Sequence, residues 1–419
     1  MTYADACDKV ALICICTLKR RDPLGGFLMT NADACDKVAH KMHLLHKNKE
    51  GRMEDIQFMQ QAIALAKKGK GHVNPNPLVG AVLVKDGTII GKGYHEQYGQ
   101  LHAERNALKD CKVSPEGAVL YVTLEPCNHH GKTPPCTEAI IENGIAKVVI
   151  GTLDPNPQMA GKSVKILQEH GIEVVVGVLE EECKDLIRVF RKYITTGRPY
   201  VLMKYAMTMD GKIATYTGAS KWITGEKARA CVQETRNEFT GIMVGVNTVL
   251  KDDPSLTCRM ENGRNPIRII CDTHLRTPLH AQVVQTAKEI PTWIATAVTD
   301  SKKKAQYENY GCRILEVPQK DGHIDLQVLM QMLGEENVDG ILLEGGGTLN
   351  WSALKAGIVD AVQTYIAPKI FGGAAQSPVA GTGVALPDEG IRLENTRCIS
   401  CGEDYRIESD VVYTCLQES

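Results

Sequence analysis

Residues 102–104 read His-Ala-Glu, and after an apolar run ending at Leu124, residues 125–136 read Glu-Pro-Cys-Asn-His-His-Gly-Lys-Thr-Pro-Pro-Cys. His102, Cys127 and Cys136 supply one imidazole and two thiolates. Three protein ligands leave a fourth tetrahedral position for water, the pattern of a catalytic rather than a structural zinc site. Zn2+ lowers the pKa of a coordinated water to about 7. Glu104 lies two residues from His102, within reach to take a proton from that water and return it to a leaving amine. This is the logic of zinc deaminases, in which the glutamate is not a ligand. Each residue alone fits an exposed helix start or an unliganded thiol; the order and the Pro before Cys127 favour the metal. The usual deaminase pair is Cys-x-x-Cys, whereas here Asn128 to Pro135 intervene. His129 and His130 in that loop are read as shaping it rather than replacing a ligand.

Working outward from this stretch, the flanking sequence is layered α/β. Upstream, Ile56, Met59 and Ile63 recur at helical spacing from Met53 to Gly69. Asn74-Pro-Asn-Pro77 follows, and then two apolar runs, Leu78 to Val84 and Thr88 to Tyr94, are joined by Asp86-Gly87, a hairpin signal. Downstream, Ala118 to Leu124, Ala146 to Ile150 and Ile172 to Leu179 read as buried strands. Thr137 to Asn143 and Ser163 to His170 read as the helices between them. A helix from Glu180 to about Thr195 ends at Gly197-Arg198-Pro199, where the first domain (53–197) gives way to a second (198–419). The second is again α/β, with strands expected at Tyr200 to Tyr205, Gly241 to Val246, Ile267 to Asp272, Thr292 to Ala297, Gly340 to Leu343 and Ala361 to Ala367. Helical stretches are expected near Glu226 to Glu238 and Ile324 to Leu333. Residues 1–52 stand apart. The block Ala4 to Ala11 recurs as Ala32 to Ala39, and His40, His43, His46 and Cys35 lack paired-Cys spacing. They are read as a dispensable extension rather than a metal tract.

A chain of 419 residues suits two or three domains. With 43% apolar and 23% charged residues it is ordinary globular material. A net charge of −2 supplies no field for polyanions and argues against a nucleic-acid partner. Fifteen cysteines, odd in number and scattered, suit a reducing, cytoplasmic setting. The apolar run Ala11 to Leu18 is too short to span a bilayer and lacks a basic start, so no membrane association is expected.

The second domain has no strand followed by G-x-G-x-x-G, so a Rossmann site is not supported. Its glycine-rich candidate is Glu344-Gly-Gly-Gly347, after an apolar strand and before a helical stretch expected near Leu349. Backbone N–H groups there can approach a phosphate. Cys398-Ile-Ser-Cys401 has no second pair to complete a metal site and reads as thiols on a strand.

Taken together, the residues resemble the bifunctional deaminase/reductase family of riboflavin biosynthesis. Thr123 to Cys136 matches its long cysteine loop almost letter for letter, as do Asn74-Pro-Asn-Pro-Leu-Val-Gly80 and His102-Ala-Glu104. In the second half, Arg198 to Lys204, Met209-Asp-Gly-Lys212, Ser220 to Glu226, Val244 to Val249, Asp252-Asp-Pro254, Glu344 to Gly347 and Tyr365 to Lys369 match its reductase. The resemblance implies a cytidine-deaminase-like α/β/α domain followed by a dihydrofolate-reductase-like α/β domain. It implies Zn2+ and NADPH as cofactors, a pyrimidine ribosylamino phosphate as small-molecule substrate, and a homo-oligomer. By the same resemblance Asn76, His95, Lys132 and Thr133 line the deaminase pocket. Lys204, Ser220, Trp222, Thr224, Asp252, Leu256, Arg259, Glu344, Gly345, Gly346 and Gly347 line the reductase cleft, with Thr224 and the glycines nearer NADPH. Asp252 and Glu344 are the carboxylates available for proton transfer, and Lys221 is a candidate contact to the extra phosphate of NADPH. Two other readings share the zinc motif: a deaminase of nucleic-acid bases, and a non-catalytic zinc-stabilised scaffold.

Overall fold

A computed structural model describes residues 53–130 and 134–413. The duplicated block, the histidines near its end, and Lys132 and Thr133 lie outside the described residues. Residues 53–66 are helical (α1), and the chain then enters β1 (Gly80–Lys85) and β2 (Thr88–Tyr94). The hairpin forms at the expected dipeptide: Asp86 and Gly87 both take positive φ, +49° and +71°. That is the type I′ geometry whose twist matches the paired strands.

The first sheet adds β3 (Val119–Leu124), β4 (Lys147–Thr152) and β5 (Glu173–Val176) in the order β2-β1-β3-β4-β5. Helices α2 (Ala103–Asp110), α3 (Cys136–Glu142) and α4 (Lys162–Glu169) connect them, and α5 (Glu180–Leu186) follows. Alternation along β1 sets the layers. Ala81 and Leu83 pack with Ala103, Ala107, Ile140 and Leu167 from α2, α3 and α4. Val82 and Val84 face the other way, against Met59, Ala62 and Ile63 of α1 and Cys183 of α5. Both faces are covered, giving three α/β/α layers.

The single helix expected from Glu180 to Thr195 is instead two. α5 ends at Leu186 and α6 (Arg188–Thr196) restarts after Ile187, whose side chain is buried. The break lets Cys183 pack on the first sheet while Val189 packs on Tyr200, Leu202 and Phe239 of the second.

The second sheet is built from β6 (Tyr200–Thr208), β7 (Gly241–Gly245), β8 (Ile267–Cys271), β9 (Thr292–Thr296) and β10 (Arg313–Glu316). After a short ribbon of β11 (Gln319–Lys320) and β12 (His323–Ile324) come β13 (Gly340–Leu343), β14 (Ala361–Ala367), β15 (Arg392–Cys401) and β16 (Asp404–Val412). The order is β10-β9-β8-β7-β13-β6-β14-β16-β15, parallel from β10 to β14, with the antiparallel pair β16 and β15 at one edge. Its helices are α7 (Glu226–Glu238), α8 (Val246–Asp252), α9 (Gln282–Gln285), α10 (Ser301–Glu308), α11 (Leu326–Glu335) and α12 (Gly347–Lys355). Met243 of β7 faces Leu329, Leu333 and Ala353 of α11 and α12, while its neighbours Ile242 and Val244 face Val249, Val283 and Tyr307 of α8, α9 and α10. The carboxyl ends of the parallel strands therefore open where those helices begin, the usual place for a ligand in such sheets. The chain thus has the α/β class expected of it.

Candidate functional site

His102 is the residue just before α2, Cys136 opens α3, and Cys127 sits in the loop after β3. Two helix N-termini converge on one point and favour negative charge there. The His102 Nδ1 lies 3.4 Å from Cys127 Sγ and 3.5 Å from Cys136 Sγ, and the three ligand atoms all fall within 4.8 Å of one another. A tetrahedral zinc with its usual bond lengths holds nitrogen and sulfur about 3.6 Å apart. The donor set and its spacing therefore fit Zn2+. Hydrogen bonds from the Cys136 thiol and His102, and from the Cys136 backbone N–H at 3.4 Å, draw the Cys127 thiol down to about 4. A lowered thiol pKa favours the thiolate form that binds metal.

Glu104, in the first turn of α2, is 3% exposed. Burial, followed by the Cys127 charge, raises its carboxyl to about 7. A carboxyl poised there can both take and give a proton near neutrality. His95 donates from Nδ1 to Leu101 O at 3.0 Å, which leaves Nε2 to accept from Asn76 Nδ2 at 3.1 Å. Burial lowers its pKa, keeping the imidazole neutral. Its ring meets that of His102 edge-on at 5.4 Å. Asn76 and His95 thus stand beside the ligand cluster.

Two residues that fasten this site went unread in the sequence. Arg105 donates to Pro134 O and Pro135 O, at 3.2 and 2.7 Å, and pins the far end of the cysteine loop. Glu125 accepts from the backbone of Asp154, Gly161 and Ser163. Glu125 stands inside the cysteine-loop motif without an assigned role, and Arg105 carries no pattern that separates it from a surface charge.

In the second half, a cleft of about 400 Å³ opens at the carboxyl ends of β7, β8 and β13. Of the residues expected to line it, Ser220, Asp252, Gly346 and Gly347 do so. Asn247, Thr248, Lys251, His274, Arg276 and His323, which the sequence did not single out, join them. Helix α12 begins at Gly347, not near Leu349. Its N-cap Gly346 contributes no side chain, and a Cβ there would meet only Thr248 Oγ1, at 3.7 Å. The bare backbone at a helix N-terminus, flanked by Lys251 and Arg276, fits the phosphates of NADPH.

Four of the expected residues sit outside this cleft. Gly345 does not line the cleft; a Cβ there would press to 2.9 Å from Asn350 Oδ1, so its role is to let the turn close. Leu256 is 3% exposed and packs in the core with Val249 and Leu275. Thr224 is also buried, its carbonyl accepting from Arg229 Nη1 at 2.8 Å. Trp222 is 59% exposed and outside the cleft, covered by the Arg229 guanidinium 4.6 Å from its ring centroid.

Glu344 and Lys204 lie apart from the cleft lining, in a cluster with Arg236, another residue the sequence did not mark. Arg236 Nε and Nη2 reach the two Glu344 oxygens at 3.2 and 2.7 Å, and Nη1 donates to Thr257 O at 2.9 Å. Burial opposes ionisation of Glu344, but Arg236 and then Lys204 overcome it and hold the carboxyl at about 2. Burial lowers the Lys204 pKa, and its Nζ stands 5.9 Å from the Tyr365 ring centroid. Arg259 is exposed and adds positive charge towards Glu344.

Comparison with known proteins agrees with this two-site arrangement. Residues 52–152 match the cytidine and deoxycytidylate deaminase zinc-binding region, and residues 199–407 match the RibD C-terminal domain. The riboflavin biosynthesis protein RibD of Actinobacillus pleuropneumoniae is 54% identical over 361 residues, covering 86% of this chain and 96% of that protein. The RibD of Escherichia coli is 42% identical, covering 77% of this chain and 90% of that one. The crystal structure of the diaminohydroxyphosphoribosylaminopyrimidine deaminase/5-amino-6-(5-phosphoribosylamino)uracil reductase of Thermotoga maritima superposes with a TM-score of 0.76 at 40% identity, covering 86% of this chain and all of that one. With a zinc-type ligand cluster on one sheet, a cleft at the strand ends of the other, and such identity across nearly the full length of its relatives, the chain belongs to the RibD family of bifunctional riboflavin-biosynthesis enzymes.

Proposed function

We propose that residues 53–197 deaminate a diaminopyrimidinone ribosylamino 5′-phosphate and residues 198–419 then reduce its ribosyl group to ribityl. The observation that carries this reading is the buried Glu104 two residues from a His102, Cys127 and Cys136 cluster spaced for zinc. His102, Cys127 and Cys136 would hold the metal, whose Lewis acidity makes water a nucleophile at neutral pH. Asn76 offers its carboxamide to the pyrimidine, oriented by neutral His95. Glu104 moves the proton from the attacking water to the departing amine. Lys132 and Thr133, outside the described residues, are assigned the substrate phosphate, the lysine as a cation and the threonine as a hydroxyl donor.

In the second half, NADPH supplies the hydride. Gly346, Gly347, Thr248 and Ser220 form its cradle, while the cationic set of Lys204, Arg236 and Arg259 around anionic Glu344 suits the substrate's ribose phosphate. Asp252, exposed at the end of α8, lines the cleft. The substrate is a small molecule, and among the described residues no helix is long and apolar enough to cross a membrane.

Replacing Glu104 by Gln removes proton transfer while keeping the size of the side chain and an oxygen that can accept from Cys136. Ammonia release from the aminopyrimidine phosphate should fall by about a hundredfold or more, while NADPH oxidation on the deaminated intermediate continues. Loss of both activities in a folded, zinc-loaded variant would refute separate sites. Unaltered ammonia release would refute the role of Glu104.

A further inference from the structure

The segment that carries Asn76 is fastened in part by the other half of the chain. Between α1 and β1, residues 70–76 form no strand or helix; Asn76 N donates to Val73 O at 2.8 Å. Tyr98 N donates to His72 O at 3.1 Å within the first half, and the other contacts come from the second half. Asn74 Nδ2 donates to Asp339 Oδ2 at 2.7 Å. Lys70 Nζ meets Glu238 Oε2 at 2.7 Å, and Asn237 Nδ2 donates to Lys70 O at 3.4 Å. At Gly71 the approach is so close that a Cβ would stand 2.5 Å from Asn237 O.

Asp339 is the central anchor. It is 2% exposed and directly precedes β13. Its Oδ1 accepts from Thr240 Oγ1, its backbone oxygen from Tyr200 N, and Arg264 stands near enough to act on its charge. A buried carboxylate is costly unless its oxygens are satisfied, and one of its donors here comes from across the chain, two residues from Asn76. Asn76 in turn donates to His95 beside the ligand cluster. Glu238 and Asn237, the other anchors, adjoin Arg236, which holds Glu344.

We propose that Asp339, in the reductase half, is a positioning residue for deamination: by holding Asn74 it fixes residues 74–76 so that the Asn76 carboxamide meets the pyrimidine. This deepens the reading above that Asn76 binds the base, and rests on it. Asp339 touches neither substrate nor metal, so its loss weakens substrate binding rather than the chemical step.

The test uses the full chain and four variants: Asp339→Ala, Asp339→Asn, Asn74→Ala, and the double alanine variant. Ammonia release against aminopyrimidine phosphate concentration, NADPH oxidation on the deaminated intermediate, and zinc content are measured for each. Asp339→Ala and Asn74→Ala should each raise the deamination KM by about tenfold, the scale of one hydrogen bond. Deamination kcat and the reduction kinetics should stay within about threefold of the parent, on the ground that neither residue contacts reacting groups. The double variant should be no worse than the poorer single, because both break one bond. Asp339→Asn should stay close to the parent, since its amide can still accept from Asn74 while donating to Thr240. An unchanged KM in Asn74→Ala, or a parallel fall in both reactions, would overturn the proposal. Should Asp339→Ala not fold, Asn74→Ala and Asp339→Asn still decide it. Absence of ammonia release from the parent chain would instead sink the deaminase reading beneath it.

Discussion

At Glu344 a guanidinium meets both oxygens of a carboxylate only 11% exposed, and the pair carries the local charge balance. The carboxyl sits at about 2 in the fold against an ordinary 4.5. A depressed folded pKa means that its stabilisation is present above pH 4.5 and is lost as the pH falls towards 2. Glu344→Gln should therefore lower unfolding free energy at pH 7 by about 3 kcal/mol, mostly by leaving Arg236 unpaired. The deficit relative to the parent should narrow as the pH drops below about 4.5. Urea unfolding from pH 7 to 3.5 measures this, and a deficit that stays constant with pH would show that the carboxylate charge is not its source. The zinc ligands and Glu104 were legible at this scale because ligand chemistry restricts residue types. Arg236 was not, because an arginine on an amphipathic helix looks the same whether it faces solvent or a buried carboxylate.

Among the elements, the turn from β13 into α12 shows how a strand end opens onto a cleft. Three glycines in succession have three different reasons. Gly345 lets the turn close on Asn350, Gly346 leaves the cleft open, and Gly347 sits where a Cβ would press to 2.8 Å from Ser377 O and Ala380 Cβ. Gly347→Ala should displace the start of α12 and raise the KM for NADPH by about tenfold or more, since a one-ångström misplacement is felt strongly in positioned sites. Deamination by the same variant should be unchanged. Reductase titration with NADPH settles it; an unaltered KM would mean that the N-terminus of α12 does not hold the cofactor. Cys398 and Cys401 lie on β15, as the sequence suggested, with Cys401 buried 3.7 Å from Cys231 of α7. The hairpin of β15 and β16 was not foreseen. Nine of the ten β15 residues are exposed, so no alternation marks it as a strand.

For the whole molecule, the family match begins at residue 52 and the described fold needs nothing before α1 to complete either sheet. Removing residues 1–52 should leave both activities within about twofold of the parent, the scale of change expected for segments outside a packed core. Kinetics of the truncated chain checks this, and failure to fold would refute it. The sequence by itself marked the His102, Cys127 and Cys136 ligand set with Glu104 beside it, the α/β character of both halves and the Asp86-Gly87 turn, because bond chemistry, side-chain period and positive φ are local and leave marks on neighbouring letters. Only the tertiary structure decided that Glu344 is locked by Arg236, that Leu256 and Thr224 are buried, and that Asp339 reaches Asn74. Those outcomes depend on residues far apart along the chain, whose meeting is fixed by how sheets and helices pack and by the need of buried charges for partners.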